Sequence, residues 1–336
     1  MKVSEIGEFG LIARLAKMAQ KSAGKDAAAW QHLIIGIGDD AAAYFANNEI
    51  QLATVDSLVQ GVHFSLSYMS WQELGRKSIA VNLSDIAAMG GLPRYALVSL
   101  GLPPDTEVEH IIDLYRGMFD IAGKFGLAIV GGDTVSAPVV FVSVTVIGSA
   151  GDRKRGMLRR SAAKPGDQIA VTNSLGASAG GLKMLQEGLK FAPKYAKQMR
   201  QAHILPNPRV DEGQLLVAKR VKCGMDVSDG LIGDLGHICA ESKVGARINV
   251  DLVPVAPAAS ACFGEMGLEM ALTGGEDYEL LFTAGPQIMK NVIKTLQCPV
   301  TVVGEITAEN TGKVKLVDNS GKPYNIKKTG WDHFSQ

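Results

Sequence analysis

Apolar residues along the chain fall into two rhythms. Between Glu8 and Ala19, Leu11, Ile12, Leu15 and Met18 recur at helical spacing. Apolar runs at 33–37 and 50–55 read as strands. Trp71 to Met89 returns to the helical period and is closed by Gly90-Gly91 and Pro93, a stop signal. Tyr95 to Leu100 reads as a strand, Val108 to Phe125 as a helix ended by Gly126, and Leu127 to Val130 and Pro138 to Ile147 as further strands. Gly151 to Asp167 breaks the pattern: it holds Arg153, Lys154, Arg155, Arg159 and Arg160 before the turn Lys164-Pro165-Gly166-Asp167. A second unit then starts with a strand at Gln168 to Thr172, a Gly-rich loop and a helix at Ala179 to Glu187. Helices follow at Pro208 to Val221, from Ser228 and at 286–296, with strands at 246–250, 279–283 and 300–304. Neither half keeps a regular βαβ rhythm, so the pattern predicts a mixed α/β (α+β) protein with domains 1–150 and 151–336.

Length agrees with two domains, at 336 residues. Lys+Arg and Asp+Glu are equal at 34 each, so nothing draws the chain to nucleic acid or an anionic membrane. The apolar run Val139 to Ile147 is too short to span a bilayer. Glu5 and Glu8 are unlike the basic start of a signal peptide. Cys223, Cys239, Cys262 and Cys298 lack Cys-x-x-Cys spacing and read as reduced thiols of a cytoplasmic protein.

The chemistry begins at Gly-Ile-Gly-Asp-Asp-Ala-Ala (36–42). Asp39 and Asp40 stand side by side, and no Lys or Arg occurs between Lys25 and Arg76. Adjacent carboxylates repel each other. Water at an exposed turn would relieve that, and so would a divalent cation held by oxygen ligands. Acidic residues recur in similar contexts in TVDSLVQGVHF (54–64), VNLSDIAAMGG (81–91), IVGGDTV (129–135) and MDVSDGLIGDLG (225–236). Asp85 shares a helical face with Asn82, so that face must look at something other than core. Asp229 opens a predicted helix, with Ser228 as its candidate N-cap. One Asp in a turn is ordinarily structural. Six of them, Asp40, Asp56, Asp85, Asp133, Asp226 and Asp229, would converge only around several cations, the arrangement Mg²⁺ takes when it bridges phosphates.

Two familiar phosphate loops fail. GIGDDA fits G-x-G-x-x-A, but its carboxylates would face the pyrophosphate and a strand follows instead of a helix. GASAGGLK (176–183) lacks the Gly-Lys-Ser/Thr ending of a P-loop, and protein-kinase signatures are absent.

GIGDDAA, TVDSLVQGVHF, AVNLSDIAAMGG, GGDT, MDVSDGL, LTGGEDYELLFT and GWDHF, in this order along nearly the whole chain, resemble the thiamine-monophosphate kinase family of the aminoimidazole-ribonucleotide-synthetase-like ATP-binding superfamily. The resemblance implies an N-terminal ATP- and Mg-binding domain that pairs into a dimeric β-barrel, and a C-terminal α/β domain that contributes to the active site. It implies a homodimer that passes the γ-phosphoryl group of ATP to thiamine monophosphate, the last step to thiamine diphosphate. Several Mg²⁺ ions would be held by Asp40, Thr54, Val55, Asp56, Asp85, Asp133, Asp226 and Asp229. Val55 departs from the family's usual hydroxyl residue, and is harmless only if that position ligates through its carbonyl. Tyr115, Gly132, Asp133, Arg160 and Ser228 are the implied nucleotide contacts, and His63, Glu276 and Trp331 the implied contacts to thiamine monophosphate. Asp229 and Arg160 are the implied catalytic residues. Asp39 would orient or tune its neighbour.

This chemistry needs no general base. A phosphate monoester has a second pKa of about 6 and is largely a dianion at neutral pH. The obstacle is repulsion between two anions, which Mg²⁺ and Arg160 would reduce. Trp331 would stack on the thiazolium cation and Glu276 would accept from the aminopyrimidine. Among rivals, a selenophosphate synthetase would need a Cys in an N-terminal loop, where none precedes Cys223, and a hydrogenase-maturation protein would need a C-terminal Cys. GGEDYELLFT and GWDHF point away from aminoimidazole ribonucleotide synthetase. A nucleotide-binding regulator without turnover has little reason to keep destabilising like charges.

Overall fold

The computed structural model describes residues 5, 10, 12, 13, 17, 32–46, 49–152 and 156–326. Its chain forms two six-stranded sheets, each with helices packed on it. The first half contains β1 (Leu33–Ile35), β2 (Ala42–Ala46), β3 (Glu49–Val59), α1 (Trp71–Ala88), β4 (Leu92–Leu102), α2 (Val108–Phe125), β5 (Ala128–Ser136) and β6 (Phe141–Asp152). Its strand order is β1-β2-β3-β6-β4-β5, antiparallel except for the β4–β5 pair. The sheet is open, with β1 and β5 as its edges.

The second half contains β7 (Gln168–Thr172), α3 (Ala177–Glu187), α4 (Pro193–Ile204), α5 (Val210–Ala218), β8 (Cys223–Asp226), α6 (Leu231–Ser242) and β9 (Gly245–Asn249). It continues through α7 (Pro257–Phe263), α8 (Met266–Thr273), β10 (Leu280–Ala284), α9 (Pro286–Thr295), β11 (Val300–Thr307) and β12 (Val314–Val317). The order here is β12-β9-β11-β7-β10-β8, with β12–β9 the parallel pair. No helix among the described residues is long and apolar enough to cross a membrane.

Helix α1 joins the two halves. It packs on α2, β3 and β6 of its own half and on α5 and β8 of the other. Such a helix is enclosed on every side, and Leu74, Ile79, Leu83 and Ile86 are fully buried. Ser70 caps its start: Glu73 N donates to Ser70 Oγ, Ser70 N donates to Glu73 Oε2, and Arg200 of α4 clamps the same carboxylate. The α1–α2 crossing depends on two glycines. A Cβ on Gly75 would lie 1.8 Å from Leu114 O, and one on Gly117 would lie 1.8 Å from Gln72 O.

Several elements differ from the sequence reading. The strand predicted to end at Val130 runs on through Gly131-Gly132-Asp133-Thr134, which lie inside β5. The helix predicted from Ser228 starts at Leu231 behind Gly230, so Ser228 and Asp229 sit in the preceding loop and Ser228 is not its cap. Strands β2, β8 and β12 and helices α4, α7 and α8 were not predicted.

Candidate functional site

Helix α1 also places the acidic residues. Asn82 Nδ2 donates to Ser78 O, which turns Asn82 Oδ1 to accept from Asp56 N on β3 at 3.1 Å. Ser84 Oγ donates to Asp226 Oδ2 at the end of β8 at 2.5 Å. Thr54 Oγ1, on β3, donates to Asp85 Oδ2 at 2.5 Å. Asp40, Asp85 and Asp226 thereby bring carboxylate oxygens within 4.8 Å of one another. Like charges this close need a cation or protons. Burial, then the charges of Asp56 and Asp226, pushes Asp85 well above the usual carboxylate range. Burial and the neighbouring Asp40 push Asp226 to about 8, and burial with Asp229 and Asp40 pushes Asp56 to about 6.

The side chain that reaches this group is Arg160, 120 residues from Asp40 in sequence. Its Nη2 lies 2.7 Å from Asp40 Oδ1 and its Nε 3.2 Å from Asp40 Oδ2, a fork-to-fork pair. Asp39 is tied differently. Its Oδ1 accepts from Asp40 N and its Oδ2 from Arg160 N, while burial and Asp40 raise its carboxyl to about 7. It holds the turn and the Arg160 backbone and lies outside the close trio.

Asp234 was missed by the sequence reading. Its Oδ2 accepts from Ser228 N, Asp229 N and Gly230 N at 3.1–3.2 Å, and this buried carboxylate shapes the loop that carries Ser228 and Asp229. The signal was available: Asp234 stands in the first turn of a helix otherwise filled by Leu231, Leu235 and Ile238.

The Gly-Gly-Glu-Asp-Tyr-Glu segment (274–279) gives each acid its own anchor. Glu276 is paired with Lys77 and His203. Asp277 accepts from Gly176 N at 2.6 Å and Ser178 N at 3.1 Å, occupying the start of α3, so the amides of the GASAGG loop are already committed to a carboxylate. Glu279 receives Arg209 bidentately at 2.6 and 2.8 Å, with Thr172 and Asn173 on the same carboxylate. Glu276 and Tyr278 have positive φ, at 64° and 51°. That strain is sustained by these anchors and aims Glu276 inward. Arg209→Met leaves Glu279 buried without its cation and is expected to lower stability by about 3 kcal/mol. Urea unfolding should show a lower midpoint at unchanged slope.

Two cavities border the acidic trio. One, of about 690 Å³, is lined by Asp39, Asp40, Thr54, Val55 and Arg160. The other, of about 770 Å³, is lined by Asp56, His63, Asp85, Asp226, Asp229 and Glu276, and Ser228 also faces it. His63 Nδ1 accepts from Val59 N, which fixes the ring. Thr54 and Asp56 alternate with buried Leu52 and Leu58 on one face of β3, so Val55 points to the opposite face and is 59% exposed. A hydroxyl at 55 would therefore face away from Asp56 and Asp85, so a ligand from this position would have to be its backbone carbonyl.

Tyr115, Gly132 and Asp133 lie on α2 and β5, elements other than those that carry the trio. Tyr115 lies on α2, its ring tilted against Phe119 at 5.8 Å, and α2 packs on β5. Asp133 is in register with Ser99, which is in register with Ser143 and then Ser57. Two strands thus separate it from β3, roughly 14 Å across. Within one chain Asp133 does not join the trio. Trp331 lies outside the described residues.

The donor set of the trio, hard carboxylate oxygens with Thr54 beside them, suits a hard divalent cation. The family descriptions "AIR synthase related protein, N-terminal domain" and "AIR synthase related protein, C-terminal domain" match residues 38–150 and 164–317. The chain is 38% identical to the thiamine-monophosphate kinase of Escherichia coli strain K12, over 98% of both chains. It is 37% identical to that of Bacillus subtilis strain 168, over 89% of this chain and 93% of the relative. Among solved structures, AaThiL complexed with AMPPCP and TMP superposes with a TM-score of 0.85 at 31% identity, covering 99% of each chain.

Proposed function

This chain belongs to the thiamine-monophosphate kinase family, and from that premise we propose that it transfers the γ-phosphoryl group of ATP to thiamine monophosphate, giving thiamine diphosphate and ADP. The observation that carries the reading is the close trio Asp40, Asp85 and Asp226 with a cavity on either side. Two anionic substrates entering from opposite sides would meet there. The 770 Å³ cavity, holding His63 and Glu276, takes the acceptor; Arg160 faces the nucleotide phosphates.

Asp40, Asp85 and Asp226, with Asp56, Asp229, Thr54 and the Val55 carbonyl nearby, would hold Mg²⁺. When bound, Mg²⁺ would neutralise charge on the phosphoryl oxygens. Arg160 would exchange Asp40 for a phosphate oxygen as nucleotide arrives, a swap its bidentate fork suits. Asp234 keeps the 228–230 loop in place, and the acceptor phosphate, already a dianion, attacks without losing a proton to the protein.

We place the active form as a homodimer. The open sheet exposes Val55, Tyr95, Leu97, Val130 and Val135, an apolar surface that invites a second sheet. Such a pairing is how the Tyr115, Gly132 and Asp133 group of one chain would complete the trio of another, and it would form the two-chain barrel. A protein of this composition, with free cysteines, fits the cytoplasm. The test is thiamine diphosphate formation by purified protein from thiamine monophosphate, ATP and Mg²⁺, with and without EDTA. Product that disappears with EDTA is expected; ATP binding with no product would transfer the reading to another acceptor or to a non-catalytic regulator.

A further inference from the structure

Two buried groups behind the acceptor cavity, Lys77 and His203, have no part in phosphoryl transfer. Lys77, on α1, is fully buried, with its Nζ 2.9 Å from Glu276 Oε1; the approach is an ion pair, not an aligned hydrogen bond. His203, on α4 and 1% exposed, has its Nδ1 3.1 Å from Glu276 Oε2 and 3.2 Å from Ser178 Oγ, while its Nε2 is buried without a hydrogen-bond partner among the described residues. Beside a carboxylate, Nδ1 must carry the ring proton and donate it. Both oxygens of Glu276 are therefore held from behind, by the N-terminal half through Lys77 and by the C-terminal half through His203. The carboxylate is a quarter exposed, toward the cavity it lines.

Burial alone would favour a neutral Glu276, but Lys77 and then His203 outweigh it and hold the carboxyl at about 2. Glu276 is thus an anion at every working pH, with one lone pair on each oxygen left for a ligand. Lys77, Val81 and Asp85 are spaced i, i+4, i+8 along one face of α1, and Val81 and Asp85 both line the cavity. Eight residues of helix span about 12 Å. A single rigid helix therefore sets the distance from the Glu276 anchor to the carboxylates at the reacting end.

We infer that Lys77 and His203 are positioning residues that lock Glu276 as a fixed anionic end-stop, so that the site selects an elongated monophosphate whose far end carries a hydrogen-bond donor or positive charge about 12 Å from the phosphate. The inference rests on the functional reading above and deepens it. For thiamine monophosphate the far end is the aminopyrimidine, whose amino group Glu276 accepts. Short phosphate monoesters reach the metal-binding acids but not the end-stop.

The test is isothermal titration without nucleotide, with two ligands: thiamine monophosphate, and an N-methylthiazolium phosphate that lacks the aminopyrimidine. Lys77→Met is expected to weaken thiamine monophosphate roughly tenfold or more and leave the truncated ligand unchanged. Adding Lys77→Met to Glu276→Gln should change neither affinity further. In turnover, the KM for acceptor should rise while the KM for ATP stays constant. Equal weakening of both ligands, or an unchanged affinity for thiamine monophosphate, overturns the end-stop. A wild-type chain that binds neither ligand overturns the functional reading itself. If Lys77→Met does not fold, the same pair of ligands on His203→Gln decides: a loss confined to the full-length ligand supports the inference, and no loss or a shared loss refutes it.

Discussion

Asparagine in place of Asp40 is expected to lower phosphoryl transfer roughly 10³-fold while the chain stays folded. Asp40 sits where the two cavities meet, its side chain only 1% exposed, within 4.8 Å of the Asp85 and Asp226 oxygens. Asparagine keeps the shape and removes the charge, so it withdraws a ligand for a hard cation without opening a void. Stability is pulled two ways. The variant loses the fork-to-fork pair with Arg160 but also relieves repulsion on Asp85 and Asp226. The two changes oppose each other, so the thermal midpoint should move by only a few degrees. Steady-state rates at saturating Mg²⁺ and circular dichroism on one preparation give both readings. Full activity at saturating Mg²⁺ would remove Asp40 from the metal-binding set.

The Arg160 exchange adds a finer expectation to that experiment. With Asp40 neutral, the guanidinium no longer has to leave a carboxylate to meet phosphate, so ATP affinity measured without metal should rise as catalysis falls. Opposite movement of binding and turnover is what separates an exchanging arginine from one bound permanently to its aspartate.

Five of the six acidic residues, all but Asp133, were legible as a set because each stood among small or apolar neighbours, where an unpaired charge needs a reason. Their partners were less so. Ser84 and Asn82 look like ordinary small polar residues on a helix, and only the fold shows them holding Asp226 and Asp56. Lys77 had a readable clue, a lysine within an enclosed helix, but its partner lies 199 positions on, at Glu276, which no local pattern reveals. Val108–Phe125 was clear in outline because an amphipathic face, a polar face and Gly126 agree. Strand β8, Cys-Gly-Met-Asp, is four buried residues with a glycine inside and carries no period of its own. Helix α4 buries only Met199, His203 and Ile204, so its apolar signal is faint. Gly131-Gly132 stand where the apolar run stops, yet at a sheet edge they continue the strand; a Cβ on Gly132 would lie 1.8 Å from Val98 O. What escaped the reading was tertiary: which strand is the edge, and that Asp133 lies on it, two strands away from β3.

The metal-free protein should lose stability as pH rises, and asparagine at 85 should blunt that loss. Asp56, Asp39 and Asp226 have folded values near 6, 7 and 8 against an ordinary 3.8, and Asp85 is also raised, chiefly by burial. Between these limits the folded chain binds more protons than the unfolded one, so the unfolding free energy falls with each increment of pH. The favourable contribution is complete below about pH 4 and is lost progressively up to about pH 8, the folded value of Asp226. In EDTA the wild-type midpoint should drop by roughly 10 °C or more between about pH 5 and about pH 8, beyond any drift common to the whole chain. Asp85→Asn keeps the acceptor for Thr54 Oγ1 and removes one titrating charge from the centre of the group. Its metal-free midpoint should fall less steeply and lie above wild type at the alkaline end, while its turnover falls as far as that of Asp40→Asn. Mg²⁺ should act in the opposite sense, raising the wild-type midpoint most where the carboxyls are most easily ionised and raising that of Asp85→Asn little. A wild-type midpoint equally responsive to Mg²⁺ at both ends of the range would show that the ion binds elsewhere than on these acids.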